Sequence, residues 1–184
     1  MKNIQTPLPN ILLVGTKGTG KTTQAELLQK KYGYIVLNLG QRLRKLGENV
    51  PAVQKVVANG LPISAQLLRN ILEDFLIEHT SSPIILDGSP YTIEQLDVYN
   101  KLIQDYDLNI SVIECTTKNH NLLLERLSKR NRLDSHKDSM FLEQYKKDIE
   151  KLHRQIDYVN FFTIDASQSI DEVSIKIESI LFKK

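Results

Sequence analysis

No stretch restricts this chain more than Gly15-Thr16-Lys17-Gly18-Thr19-Gly20-Lys21-Thr22. It fits the spacing G-x-x-x-x-G-K-[ST], and both flanks suit it. Ile11-Leu12-Leu13-Val14 before it is a short apolar run that reads as a strand buried on both faces. Thr23 to Lys30 after it reads as a helix, with Ala25, Leu27 and Leu28 on one side. Glycines at 15, 18 and 20 permit backbone angles closed to residues with a Cβ. Successive N–H groups can then converge at a helix N-terminus, where the helix dipole also favours an anion. The run therefore reads as a phosphate-binding loop. Lys21 would lie along the outer phosphates of a nucleoside triphosphate, and the Thr22 hydroxyl would ligate Mg²⁺.

The rest of the chain alternates strands with helices. Tyr34 to Asn38, Ile84 to Leu86, Ile110 to Cys115 and Phe161 to Asp165 read as further strands. Gly33 is expected to end the first helix. Short helices are expected over Gly40 to Leu46 and Val53 to Asn59. Ser64 is expected to cap a helix carrying Leu67, Leu68, Ile71, Leu72, Phe75 and Leu76. Thr92 with Gln95, and Ser169 with Glu172, have capping-box spacing. A helix carries Leu122 to Arg130. Asn131 to Ser139 has no apolar period and reads as an exposed loop, and a long polar helix follows to about Tyr158. This order predicts an α/β fold in three layers, a five-stranded parallel sheet with helices on both faces. The loop would sit at the sheet's C-terminal edge, where such folds bind ligands.

With 184 residues the chain suits one domain spanning 1–184. A net charge of +2 gives no electrostatic case for nucleic-acid or membrane binding. No apolar stretch approaches the ~20 residues of a membrane span, and the first ten residues lack the apolar core of a signal peptide. A soluble, cytoplasmic protein is expected. The single cysteine, Cys115, excludes an internal disulfide and a multi-cysteine zinc site. Its apolar surroundings read as a core thiol, not a nucleophile. His79, His120, His136 and His153 show no metal-ligand pairing.

Further motifs narrow the reading. Gly15 to Gln24, Leu39 to Arg44, Leu86-Asp87-Gly88-Ser89-Pro90-Tyr91-Thr92-Ile93-Glu94-Gln95, the arginines 126, 130 and 132, and Ile164 to Val173 occur in one order. In these motifs the chain resembles the adenylate kinase family of nucleoside monophosphate kinases over roughly Ile11 to Ile180. The resemblance implies an ATP-dependent phosphotransferase, monomeric, with ATP, a nucleoside monophosphate and Mg²⁺ as its partners. Gly15, Thr16, Lys17, Gly18, Thr19, Gly20, Lys21, Thr22 and Thr23 would hold ATP, with Arg126 on the donor base. Thr22 and Asp87 would serve the metal. Arg44, Gly88, Tyr91 and Gln95 would bind the acceptor, within a helical segment of about 39–68 and the central motif. Lys21, Arg130 and Arg132 would act on the transferring phosphoryl group, and about 131–139 would form a short lid. Each has a plainer reading: Asp87 in an Asp-Gly turn, Arg44 as a solvated helix arginine, Gln95 as a capping residue, and Arg126 to Arg132 as a basic helix end.

The chain departs from the family mainly at acceptor and transfer positions. Tyr91 stands where the family has an arginine that grips the acceptor phosphate, and Phe141 replaces another that acts on the transferred group. Ser89 replaces a phenylalanine, Gln41 an aspartate, Leu39 a threonine and Ser135 an aspartate. On the donor side Lys17 replaces a proline and Thr22 a glycine. Each lost charge-assisted contact is worth ~1.5–3 kcal/mol. Three readings stay open: a nucleoside monophosphate kinase with altered acceptor choice or lowered activity, a kinase of another small acceptor or slow NTPase, and a nucleotide-binding protein with little or no transferase activity.

Overall fold

The computed structural model describes residues 8–129, 152 and 160–182. Its elements run β1 (Asn10–Val14), α1 (Lys21–Tyr32), β2 (Ile35–Asn38), α2 (Leu39–Gly47), α3 (Pro51–Ala58), α4 (Ala65–Glu78), β3 (Ile84–Asp87), α5 (Ile93–Asp105), β4 (Ile110–Thr116), α6 (His120–Ser128), β5 (Phe161–Asp165) and α7 (Ile170–Leu181). The five strands form one sheet in the order β2-β3-β1-β4-β5, every neighbouring pair parallel. The predicted α/β three-layer architecture is therefore the one observed.

Strand periodicity explains the two-sided core. Successive side chains point to opposite faces, so Leu12 and Val14 of β1 join one apolar cluster and Ile11 and Leu13 the other. Strands β3 and β4 divide in the same way: Leu86 and Val112 pack with Leu68, Leu72 and Leu96, while Ile85 and Ile113 pack with Ala25, Leu28 and Ile177. Helices α4 and α5 thus cover one face, and α1 and α7 the other. A sheet covered on both faces needs apolar runs without alternation, and Ile11, Leu12 and Leu13 are all fully buried.

Local signals set most helix ends. Gly33 closes α1 in a left-handed conformation, φ 77°, its N–H donating to the Gln29 carbonyl. The Ser64 hydroxyl accepts from Leu67 N at 3.2 Å. Ser169 and Glu172 complete both halves of a capping box. The Thr92 box forms differently: its hydroxyl accepts from Gln95 N at 3.2 Å, but the Gln95 side-chain Oε1 accepts from the N–H of Tyr91, one residue earlier. Observed boundaries lie close to the expected ones, with α2 beginning at Leu39 and α3 at Pro51. Arg130, Arg132, Ser135, Phe141, the 131–139 loop and, apart from Leu152, the long helix expected after it lie outside the described residues.

Candidate functional site

The phosphate-loop sequence folds as its glycines require. Gly15, Gly18 and Gly20 have φ of 128°, 89° and 86°. Gly15 carries a second constraint, because a Cβ there would stand 2.1 Å from the Cys115 carbonyl oxygen of β4. Backbone angle and close approach both exclude a side chain. Gly20 is the N-cap of α1, with no side-chain cap and no acidic residue in the first turn. The orphan N–H groups of that turn are thus left by the sequence for an external anion.

Lys21 spans the loop from within. It is 8% exposed, and its Nζ donates to the carbonyls of Gly15 and Thr16, each at 2.8 Å. Thr19 Oγ1 donates to Thr16 O at 2.9 Å and closes the turn. Beneath the loop, Cys115 is fully buried, and desolvation pushes its thiol up to about 11. A thiolate is the nucleophilic form, so the expectation of a core thiol agrees with the structure.

Asp87 ends β3 beside the first turn of α1. Its Oδ2 accepts from the Thr22 hydroxyl at 2.7 Å and from Asn38 Nδ2 at 2.9 Å. Its Oδ1 is buried and has no hydrogen-bond partner among the described residues. A buried acceptor left unpaired costs ~1–3 kcal/mol, and a bound ion is one of the accepted explanations for such a group. Hydroxyl and carboxylate are hard oxygen donors of the kind Mg²⁺ takes, and Mg²⁺ commonly uses one or two protein carboxylates plus waters and phosphates. The described residues contain no group of three or more His, Cys, Asp or Glu side chains placed for a metal. The pair therefore suits a cation that brings most of its ligands with it.

One cleft is lined by Lys17, Gly18, Gly20, Lys21, Thr22 and Asp87 on one side, and by Gly40, Leu43, Arg44, Leu61, Gly88 and Tyr91 on the other. Thr22 and Asp87 are in direct contact, and Arg44, Gly88 and Tyr91 share the cleft with them. Burial, with the Asp87 carboxylate adding to it, raises the Tyr91 phenol above the ordinary tyrosine range, so it is neutral at pH 7. Gln95 differs from its neighbours. It is 1% exposed, its oxygen accepts from Tyr91 N and its Nε2 donates to the Ile63 carbonyl, both at 2.8 Å. Gln95 is not among the residues lining the cleft. Ser89 is buried with its hydroxyl bonded to that of Tyr99, and the Ser89–Pro90 peptide is cis.

On the far side of the loop a second cleft holds Thr19, Thr23, Gln24, Arg126, Gln168 and Ile170. Arg126 NH1 donates to Ala166 O at 2.8 Å, and Gln24 Nε2 donates to Ile170 O at 2.9 Å, tying the loop helix to α7. Asn38 has no role in the sequence reading. An asparagine before a helix is a legible N-cap, but nothing local points to its contact with Asp87.

The comparisons with known proteins agree with this geometry. A family model described as an AAA domain matches residues 14–143. A Tropheryma whipplei protein named adenylate kinase is 30% identical over 177 residues, covering 92% of this chain and 95% of its own length. Adenylate kinases of Prochlorococcus marinus and Mycoplasma mycoides are 31% and 33% identical, covering 93% and 92% of this chain and 97% and 80% of theirs. A sheet-edge phosphate loop, its lysine and hydroxyl, an aspartate at the end of β3 and these full-length likenesses lead to one conclusion: the chain belongs to the adenylate kinase family of P-loop proteins.

Proposed function

We propose that this protein is a Mg²⁺-dependent phosphotransferase that moves the γ-phosphoryl group of ATP to a nucleoside monophosphate, with AMP as the preferred acceptor. One observation carries the reading: Lys21, Thr22, Asp87 and Arg44 line a single cleft. A loop for the donor phosphates then faces a guanidinium suited to an acceptor phosphate. Phosphoryl transfer asks a protein for alignment and charge stabilisation more than for covalent chemistry. The loop N–H groups and Lys21 would hold the triphosphate, and Arg44 would fix the acceptor through paired bonds to phosphate oxygens. Arg126 would support the donor base, and Arg130 and Arg132 would reach the transferring group. Mg²⁺, held through Thr22 and Asp87, would supply charge neutralisation on the phosphates. By family resemblance the protein would act as a cytoplasmic monomer.

A second reading has its own support. Tyr91 brings a neutral phenol to the cleft, and the Gln95 amide is engaged with backbone at both ends. The first favours an acceptor with less phosphate, or slow ATP hydrolysis, and the second an acceptor whose base is not read by Gln95. The deciding assay is ADP formation from Mg-ATP alone and with AMP, CMP, UMP, GMP and their deoxy forms. AMP turnover well above the ATP-only rate supports the first reading. Equal signals throughout, in protein that still binds ATP, move the conclusion to the second reading or to a nucleotide-binding protein with little transferase activity.

A further inference from the structure

Asn38 is the last residue of β2 and the N-cap of α2, and both ends of its side-chain amide are used. Oδ1 accepts from Gln41 N at 2.8 Å, which is the helix cap. Nδ2 donates to Asp87 Oδ2 at 2.9 Å and approaches Thr22 Oγ1 at 3.3 Å. The sheet sets this meeting, because Asn38 and Asp87 are register partners on adjacent parallel strands. Paired residues on neighbouring strands present their side chains to the same face.

We propose that Asn38 is a positioning residue for the divalent cation. Its amide holds the Asp87 carboxylate so that Oδ2 is saturated by neutral donors while Oδ1 stays unspent. A carboxylate can turn about its terminal torsion, which is broad and roughly two-fold. Two donors on one oxygen, Thr22 and Asn38, remove that freedom before any metal arrives. The Asn38 bond to Thr22 also restrains the hydroxyl whose lone pairs would face the cation. Groups that orient metal ligands from behind are part of the site's affinity, and their loss typically costs about 10–100-fold in metal binding. Because the same amide caps α2, the helix that carries Arg44 begins at a residue bonded to the metal carboxylate. The inference rests on the reading that a metal–nucleotide complex binds at Thr22 and Asp87.

Capping and positioning can be separated by substitution. Serine is as good an N-cap as asparagine, but its single short oxygen cannot cap α2 and also reach Asp87. Mn²⁺ would be titrated into full-length protein saturated with β,γ-imido-ATP, with bound metal followed by electron paramagnetic resonance. For Asn38→Ser we expect Mn²⁺ affinity lower by about tenfold, with unchanged melting temperature and unchanged affinity for the metal-free nucleotide. In an Asp87→Asn background the same substitution should have a much smaller effect on metal affinity, the remainder passing through Thr22, since Asn38 acts chiefly through Asp87. If Asn38→Ser lowers the melting temperature, this paired comparison still decides the matter. Wild-type metal affinity in Asn38→Ser, an equal loss of metal-free nucleotide binding, or a full effect without Asp87 would each overturn the inference. No acceptor is present in these titrations. Failure of every acceptor in the turnover assay would sink the kinase reading and leave this one standing, whereas wild-type protein that binds no metal–nucleotide would sink both.

Discussion

The two sides of the cleft are built to different tolerances. On the loop side, nearly every group is fixed more than once. Gly15 is constrained by its φ and by the Cys115 carbonyl, Lys21 by two loop carbonyls, and Asp87 by two donors. On the α2 side Arg44 lines the cleft beside the neutral phenol of Tyr91. By the family resemblance Tyr91 would stand in place of an arginine, and the Gln95 amide is committed to backbone at 63 and 91. A preorganised loop binds phosphate without paying for ordering. Under the proposed reading it is on the α2 side that acceptor choice would be decided. On that reading nucleotide binding and acceptor selection would be separable properties of this chain.

Substitutions can break that comparison. The largest effect is expected from Gly15→Ala. Its new methyl group would meet a backbone carbonyl, which has no flexible end to give way, at a φ that alanine rarely adopts. Overpacking plus backbone strain should cost about 2–5 kcal/mol. At ~2–4 °C per kcal/mol for a chain of this size, a thermal melt should fall by roughly 10 °C, and ATP binding should be lost with it. A melt within 2 °C of wild type, by that same scale, would show that the loop is less constrained than the geometry implies.

Lys21→Met comes next. It removes the buried cation at the loop while keeping length and apolar bulk. Turnover with Mg-ATP and AMP should fall by on the order of 10²-fold, the equivalent of one strong charge-assisted contact. Melting temperature should also drop, though less than in Gly15→Ala, because the Gly15 and Thr16 carbonyls lose their donor. Tyr91→Arg tests the other side. AMP phosphorylation should rise by about tenfold, a gain of roughly 1.4 kcal/mol, while ATP affinity stays unchanged. No gain in rate or in AMP affinity would remove Tyr91 from the acceptor phosphate and weaken the contrast between the two sides.

The smallest effect concerns the floor beneath the loop. Folding raises the Cys115 thiol from 9.0 to about 11. Between those values the folded chain keeps a proton that the unfolded chain releases, so stability falls as pH rises through that window. Tyr34, raised to about 12 by burial, extends the loss to higher pH. Denaturant midpoints at pH 8, 9 and 10 should decline less steeply in Cys115→Ala than in wild type. Turnover at pH 7.5 should match wild type, because Gly15 meets the backbone of Cys115, not its thiol. Parallel declines in the two proteins would assign the alkaline lability elsewhere.

Much of this molecule was legible before its structure. The phosphate loop, the cap glycine at 33, the Ser64 cap and the Ser169–Glu172 box act within a few residues of themselves, through backbone angles and short hydrogen bonds. The apolar runs of β1, β3 and β4 announced a sheet covered on both faces. Local chemistry of this kind needs no partner from elsewhere in the chain, so spacing alone reveals it.

Other features depend on which strands become neighbours. That Gly15 needs to be glycine partly because of Cys115 follows from the pairing of β1 with β4. That Asn38 braces Asp87 follows from the register of β2 on β3. Gln95 read equally well as a capping residue or an acceptor-base contact, and its bond to Ile63 emerged only when α5 packed beside the segment leading into α4. These contacts join residues 32 to 100 positions apart, through strand order and side-chain burial that no local pattern encodes. The sequence determined that a phosphate would be bound at the loop. Tertiary packing decided which side chains stand around it and which are turned away, because parallel strands acquire their neighbours only when the whole sheet assembles.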